Sequence, residues 1–170
     1  MVGGDYVPAT HTFTVVSSSP GPLTFSNFSI QADTDLYAGD PAIQAAIIAN
    51  KPSGIGGKLQ YATFNSVCFR FLYRGVDTRF SYPSSGDAGI IDYAEFNGCR
   101  FDYIVYRGAI LSSPDSTTLT GCRFYHTSTL ADDTQWDGEI VSACAIATYG
   151  GNPVLIGCGF NGYGESTNDY

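Results

Sequence analysis

Several residue types are scarce in this chain, and each scarcity reduces the number of folds and functions that the sequence allows. Its 170 residues include one Met, one Trp and two His, and only 14% are charged. No apolar run approaches the roughly 18 residues of a membrane-spanning helix, so we expect no membrane insertion. The first residues lack a charged start followed by an apolar block, so we also expect no signal peptide.

Basic residues are the scarcer of the two charged classes. The chain has 8 Lys and Arg against 16 Asp and Glu, which gives a net charge of −8 at pH 7. The phosphates of a nucleic acid would be repelled by this charge, and no block of basic residues reverses it locally. We therefore expect no nucleic-acid partner.

The Cys and His residues of the sequence also lack the spacing that is typical of a metal or cofactor site. It has no Cys-x-x-Cys pair and its two histidines are far apart, so we expect no zinc and no other cofactor. Asp133, Asp137 and Gly138 match the start of a calcium loop. The twelfth position of such a loop needs Glu and here is Cys144, so we predict no metal there.

What the chain does contain is a six-residue phrase that occurs five times. Each copy has an apolar residue, a two-residue step rich in Asn, Gly and Ser, and then two apolar residues separated by one other. Such repetition predicts an all-β solenoid, because each copy can bury its apolar side chains only against its neighbours. An antiparallel sandwich with similar turns is the alternative, and five matched copies disfavour it. The copies are FSNFSI at 25–30, FNSVCF at 64–69, FNGCRF at 96–101, LTGCRF at 119–124 and LIGCGF at 155–160.

The cysteines follow this repeat. Cys99, Cys122 and Cys158 occupy the same inward position of three successive copies, so we expect them to be stacked in the interior as reduced thiols. Five cysteines cannot all pair within one chain, which favours folding in a cytosol-like compartment.

One segment departs from the strand pattern. Residues 40–50 begin with Asp40 and Pro41 and continue with Ala, Ile and Gln, which predicts a short helix near 41–50 that shields an edge or face of the solenoid. Lys51 and Pro52 end it. After the glycine-rich residues 54–57, we expect strands to resume at 58–61.

The repeated Asn-Gly-Cys-x-Phe phrase, together with Ala-Ile-Gln-Ala-Ala-Ile at 42–47, resembles the right-handed parallel β-helix proteins of the pectate-lyase-like superfamily. Bacteriophage tailspikes and capsule depolymerases are the best-matching members, and the resemblance covers roughly residues 12–163. It implies about five coils in a single domain over 1–170, as a segment of a longer tailspike-like chain. It further implies a parallel homotrimer that folds in the host cytoplasm and becomes part of the virion tail, or is secreted. The implied partner is bacterial surface polysaccharide, either capsule or lipopolysaccharide.

Many members of that family cleave polysaccharide, as glycoside hydrolases or polysaccharide lyases. Hydrolysis needs two carboxyl groups on either side of one bond, which adjacent turns of a solenoid can supply. Our catalytic candidates are Glu95, Asp102, Asp133 and Asp137.

Binding candidates come from aromatic and arginine positions. Trp136 is flanked by acidic residues in what we expect to be a long loop at 131–140, and an indole face stacks well on a sugar ring. Arg100 and Arg123 share one outward position of the phrase, and Arg74 and Arg107 share the Tyr-Arg-Gly position that follows it, so like charges are stacked. A local carboxylate such as Asp102 would offset this, or an acidic sugar would bind along the column. We add two aromatic residues near the same copies, Tyr103 and Tyr125.

Three functional classes follow. The first is a tailspike-like domain that recognises bacterial polysaccharide, the second an enzyme of the same fold that cleaves it, and the third a structural spacer of a virion or secreted assembly. The sequence contains no nucleophile–base motif and no P-loop. We rank binding above cleavage.

Overall fold

The structure of the protein is a computed structural model. It describes residues 11–15, 22–31, 53–57, 59–78, 91–104, 107–112, 115–125, 132–136, 139–142, 144–149 and 151–161. The helix predicted near 41–50 lies outside these residues. No helix long and apolar enough to cross a membrane occurs in the part of the chain described.

Fifteen of the strands form three parallel five-stranded sheets. The first sheet contains β1 (His11–Val15), β4 (Ser53–Gly57), β7 (Arg74–Asp77), β10 (Arg107–Ser112) and β15 (Cys144–Tyr149). The second contains β2 (Leu23–Ser26), β5 (Ala62–Asn65), β8 (Glu95–Asn97), β11 (Thr118–Thr120) and β16 (Val154–Ile156). The third contains β3 (Ser29–Gln31), β6 (Cys68–Arg70), β9 (Arg100–Asp102), β12 (Arg123–Tyr125) and β17 (Gly159–Asn161).

The chain visits the three sheets in the same order five times, and we call each passage through all three a round. Every strand pairs in parallel with the equivalent strand of the neighbouring rounds. This all-β arrangement is consistent with the solenoid predicted from the repeat.

Between the fourth and fifth rounds the chain forms an antiparallel hairpin of β13 (Asp132–Trp136) and β14 (Glu139–Ser142). We expected a loop at 131–140, and that expectation is wrong for these strands. The run of polar residues suggested a loop, but a two-stranded hairpin needs no apolar alternation if it lies outside the core.

The repeated phrase builds the second sheet, a corner and the third sheet, and its apolar residues are stacked in register. Rings one round apart are stacked with their planes nearly parallel, and their centroids are 4.5 Å apart for Phe64 and Phe96 and 4.6 Å apart for Phe101 and Phe124. The same register continues along each sheet, so the interior consists of columns of like side chains. These columns are Phe25, Phe64, Phe96, Leu119 and Leu155 in the second sheet, and Ile30, Phe69, Phe101, Phe124 and Phe160 in the third.

The corner between these sheets contains, in each round, one residue with a left-handed backbone conformation. Gly98, for example, has φ of 62°, a conformation that glycine adopts without steric strain. The next residue points inward, and Cys99 and Cys122 are buried there with free thiols. The predicted thiol column is therefore confirmed for Cys99 and Cys122, and Cys158 continues it half-buried in the last round. Each thiol donates to a second-sheet carbonyl of the preceding round at 3.3–3.4 Å: Cys99 to Phe64, Cys122 to Phe96 and Cys158 to Leu119.

The first sheet packs closely against the third through glycines. A Cβ atom on Gly75 would lie 2.5 Å from the Gly108 carbonyl oxygen and 2.8 Å from Cδ1 of Phe101. Our prediction of a strand at 58–61 is wrong. The glycine-rich segment before these residues forms β4, because its glycines allow the close packing, and Tyr61 is a turn residue with φ of 58°.

Candidate functional site: the outer face of the third sheet

The outer face of the third sheet carries two columns of side chains, because alternate residues of each short strand point away from the core. One column contains Ser29, Cys68, Arg100, Arg123 and Gly159. The other contains Gln31, Arg70, Asp102, Tyr125 and Asn161. Three of the protein's eight basic residues therefore lie on this face, with one carboxylate among them.

The carboxylate is held by an arginine of its own strand. Nη2 of Arg100 donates to Oδ2 of Asp102 at 2.7 Å, and the Arg100 side chain is 60% exposed whereas that of Asp102 is 3% exposed. The expectation that Asp102 offsets the stacked arginine charge is thus confirmed for Arg100. Arg123 is exposed in the next round, and no carboxylate in the described ranges forms an ion pair with it.

Cys68 lies beside this ion pair. Its thiol is 3.8 Å from Oδ2 of Asp102 and half-buried. Burial raises the pKa of the Cys68 thiol, and the negative charge of Asp102 raises it further. The thiol is therefore the protonated donor of this contact at neutral pH.

A row of aromatic rings borders the arginines where the third sheet ends. Phe71 and Tyr103 are stacked with centroids 5.6 Å apart, and Tyr103 meets Tyr125 edge-on at 5.6 Å. The Arg70 guanidinium lies 4.9 Å from the centre of the Phe71 ring. Phe71 and Tyr103 have φ of 52° and 55°, an unusual conformation for bulky residues. The corner keeps this conformation through backbone bonds to the next round, in which Phe71 N–H donates to Asp102 O and Tyr103 N–H donates to Tyr125 O.

The structure thus brings together five of the nine residues that we selected from the sequence: Arg100, Asp102, Tyr103, Arg123 and Tyr125. Arg70 and Phe71 belong to the same face and were missed. Arg70 directly follows the second copy of the phrase, at the offset of Asp102 and Tyr125, and this shared offset was the available signal.

The remaining candidates are not among the residues described on this face. Glu95 is exposed, as expected, on the outer face of the second sheet, whereas Asp102 is on the third. Asp133 and Trp136 belong to β13, their side chains are outside the described part of the structure, and Asp137 is outside it altogether. A catalytic carboxylate pair therefore stays a prediction.

The arginines of the first sheet form a different environment. Arg74 and Arg107 are neighbours in register, as predicted, and both are buried. Nε of Arg74 lies 3.4 Å from Oδ2 of Asp77, and its Nη1 donates to Ser53 Oγ at 3.3 Å. These groups are enclosed and have protein partners, so they present no open binding surface.

In the described ranges, no group of three or more His, Cys, Asp or Glu residues is placed to hold a metal ion. Comparison with protein-family models, with curated proteins and with solved structures gives no match to this chain.

Proposed function

We propose that the outer face of the third sheet binds an acidic polysaccharide. The observation that supports the proposal is the grouping of Arg70, Arg100 and Arg123 around the single carboxylate of Asp102, on a protein whose net charge is −8. Such a face attracts anions although the whole molecule is acidic, because charges within a Debye length of about 8 Å dominate the local potential.

The geometry of the face suits an extended polymer. Neighbouring strands lie about 4.8 Å apart, so Arg100 and Arg123 present a row of donors along the stack of rounds. A guanidinium can bind a carboxylate with two parallel hydrogen bonds. Tyr125 and Tyr103 at the border offer aromatic surface to a sugar ring.

The wider proposal is that the chain is a right-handed β-helix of the phage tailspike type, part of the virion tail, that recognises capsule or lipopolysaccharide. It rests on the sequence resemblance and on the parallel stacking of the sheets. A parallel homotrimer belongs to the same proposal, and sedimentation equilibrium at several concentrations tests it directly.

Cleavage of the polysaccharide is less well supported. Asp102 is buried and paired with Arg100, and Glu95 is on another sheet, so the placement of these two carboxylates lends no support to cleavage. We therefore propose recognition without assigning a reaction.

The test is titration calorimetry with an acidic capsular polysaccharide and with a neutral glucan of matched length. Arg100→Ala and Arg123→Ala should each weaken binding of the acidic polymer by roughly tenfold, because each removes a charge-assisted hydrogen bond. Glu95→Gln on the second sheet is the control and should bind as the unmodified protein does.

Equal affinity of the unmodified protein and both arginine variants would contradict the proposal. New reducing ends without unsaturated ends after incubation would move the assignment to a glycoside hydrolase, and new reducing ends together with unsaturated ends to a lyase. Absence of both binding and cleavage would favour a structural spacer.

A further inference from the structure

The column of inward thiols changes its exposure at the last round. Cys99 and Cys122 are fully buried between neighbouring rounds, whereas Cys158 is half-buried. The second and third sheets end at β16 and β17, and no further strand of the described ranges lies beyond them. Leu155 and Phe160, before and after the last corner, are each about half exposed. A small solute can therefore reach Cys158 from the end of the stack, whereas the inner thiols are enclosed.

Cys122 and Cys158 lie directly opposite each other on neighbouring rounds. The residues two positions before them and one position after them are register partners, and Gly159 N–H donates to the Cys122 carbonyl at 2.9 Å. The Cys158 thiol points toward the fourth round, because it donates to the Leu119 carbonyl at 3.3 Å. Parallel strands are about 4.8 Å apart, which lies within the roughly 4.4–6.8 Å that separates the Cα atoms of a disulfide.

A disulfide also needs its Cβ atoms about 3.8 Å apart, so the two rounds must approach by about 1 Å at this corner. The round of Cys158 has one neighbouring round and can move toward Cys122. An equal approach of Cys122 to Cys99 is resisted, because packed rounds lie on both sides of that pair. Gly157 and Gly159 flank Cys158, and a Cβ on either would meet no atom within 4 Å. The last corner is therefore uncrowded, and the gap closes more easily there than inside the column.

We propose that the open end of the thiol column is an oxidation site, at which hydrogen peroxide converts Cys158 to a sulfenic acid that then condenses with Cys122 to a disulfide. This bond links the fourth and fifth rounds covalently, and a dithiol reductant reverses it. The inference uses no side chain of the candidate polysaccharide face and does not depend on the proposed polysaccharide binding.

The reaction has two steps. In the first, the Cys158 sulfur attacks one oxygen of the peroxide, the O–O bond breaks, and the products are the sulfenic acid and water. In the second, the Cys122 sulfur attacks the sulfenic sulfur, the S–O bond breaks, and the Cys122 proton leaves with the hydroxyl group as a second water. The two thiols together lose two electrons, which reduce one peroxide.

Two opposing effects set the rate of the second step. The hydrogen bond with Cys99 raises the pKa of the Cys122 thiol, so Cys122 reacts from its protonated form and the step is slowed. The fixed position of Cys122 opposite Cys158 accelerates the step, because the two sulfurs meet within one chain.

The test is treatment of the whole protein with hydrogen peroxide, followed by peptide mapping by mass spectrometry. A peptide that joins Cys122 to Cys158 should appear, both thiols should be lost, and the chain should become lighter by about 2 Da, all reversibly with dithiothreitol. Cys68 is the internal control. It is also half-buried, but its register neighbours are Ser29 and Arg100, so it should form no disulfide within the chain.

Cys122→Ser separates the two steps. Serine keeps a donor for the Phe96 carbonyl but cannot form a disulfide, so Cys158 should stop at the sulfenic acid. Dimedone, which labels sulfenic acids, should then modify Cys158 roughly tenfold more than in the unmodified protein. Cys158→Ser should leave Cys122 reduced. Cys99→Ser, on the other side of Cys122, is the matched control and should leave the yield of the joined peptide unchanged.

Four results would each overturn the proposal. A disulfide between Cys99 and Cys122 would show that inner rounds approach as readily as the last one. A disulfide between two chains through Cys158 would show that the corner does not close within one chain. Equal dimedone labelling of Cys158 with and without Cys122→Ser would show that Cys122 does not consume the sulfenic acid. Reduced Cys158 under peroxide that fully oxidises free glutathione would show that the end of the column is closed to solutes.

Discussion

The two ends of the stacked sheets differ, although the same phrase forms both. Ile30, at the sixth position of the first copy, is 3% exposed, whereas Phe160, at the sixth position of the last copy, is 48% exposed. Both belong to outermost strands of the third sheet. In a stack of repeats an inner member is buried by two neighbours, and an end member is buried only where further groups cover it. The first end of the third sheet is covered, and the last end is open.

The last round is also chemically distinct. Val154, Leu155 and Ile156 are all about half exposed, and residues 144–161 include no charged residue. By contrast, the third round carries Glu95, Arg100 and Asp102. The repeat therefore supplies the inward apolar pattern in every round, whereas the exposure of these apolar residues differs between the two ends of the stack.

The largest expected difference between middle and end is in the phenyl column. Phe101→Ala removes a ring packed between Phe69 at 4.9 Å and Phe124 at 4.6 Å, so the free energy of unfolding should fall by about 3–5 kcal/mol. Phe160→Ala, with one ring neighbour at 5.1 Å, should cost clearly less. Urea unfolding of both variants measures the contrast, and equal losses would mean that the last end is covered in solution.

The glycines give the next largest difference. Gly75→Ala places a methyl group against the Gly108 carbonyl and the Phe101 ring, so we expect a loss of about 1–3 kcal/mol in the free energy of unfolding. Gly159→Ala in the last round is the matched control, because a Cβ there meets no atom within 4 Å. The same denaturant measurement applies, and tolerance of Gly75→Ala would contradict the close packing of the first sheet on the third.

A third prediction concerns the buried thiols in the middle of the stack. The hydrogen bond with Cys99 raises the pKa of the Cys122 thiol, and burial raises it further. A folded pKa above the unfolded value means that this stability contribution is complete below the ordinary thiol pKa of about 8.5 and is lost as the pH rises. The contribution of Cys122 to the free energy of unfolding should therefore decline above about pH 8.5, by up to about 1.4 kcal/mol per pH unit. The same hydrogen bond lowers the pKa of the Cys99 thiol, which opposes this decline near pH 8.5.

The control for the thiol prediction is Cys122→Ser, which removes this titration but keeps a donor for the Phe96 carbonyl. Thermal unfolding of both proteins between pH 8 and 9.5 should show a shallower decline for the variant. Parallel pH profiles would assign the decline to other groups.

How far the sequence predicts the structure depends on the sheet. The phrase contains a second-sheet strand, the corner and a third-sheet strand, so its period-two pattern predicted the columns of Phe101 and Cys122. The first sheet has no such pattern, because Gly54 and Gly75 are required there for close approach and glycine in sequence reads as a turn. The candidate functional face was predicted only in part. Arg100 and Arg123 repeat visibly, whereas Arg70 shares its column with Asp102 and Tyr125, which are unlike it chemically.

The smallest expected effect is at the surface of the last round. Ile156 is 52% exposed, so Ile156→Ser should change the free energy of unfolding by no more than about 0.5 kcal/mol in dilute solution. A loss above about 1 kcal/mol would show that this side chain is covered in solution. Repeating the measurement at several protein concentrations then identifies the cover, because stabilisation by another copy grows with concentration and stabilisation within one chain does not. Concentration-independent loss would remove the difference between the two ends and leave one uniformly covered stack.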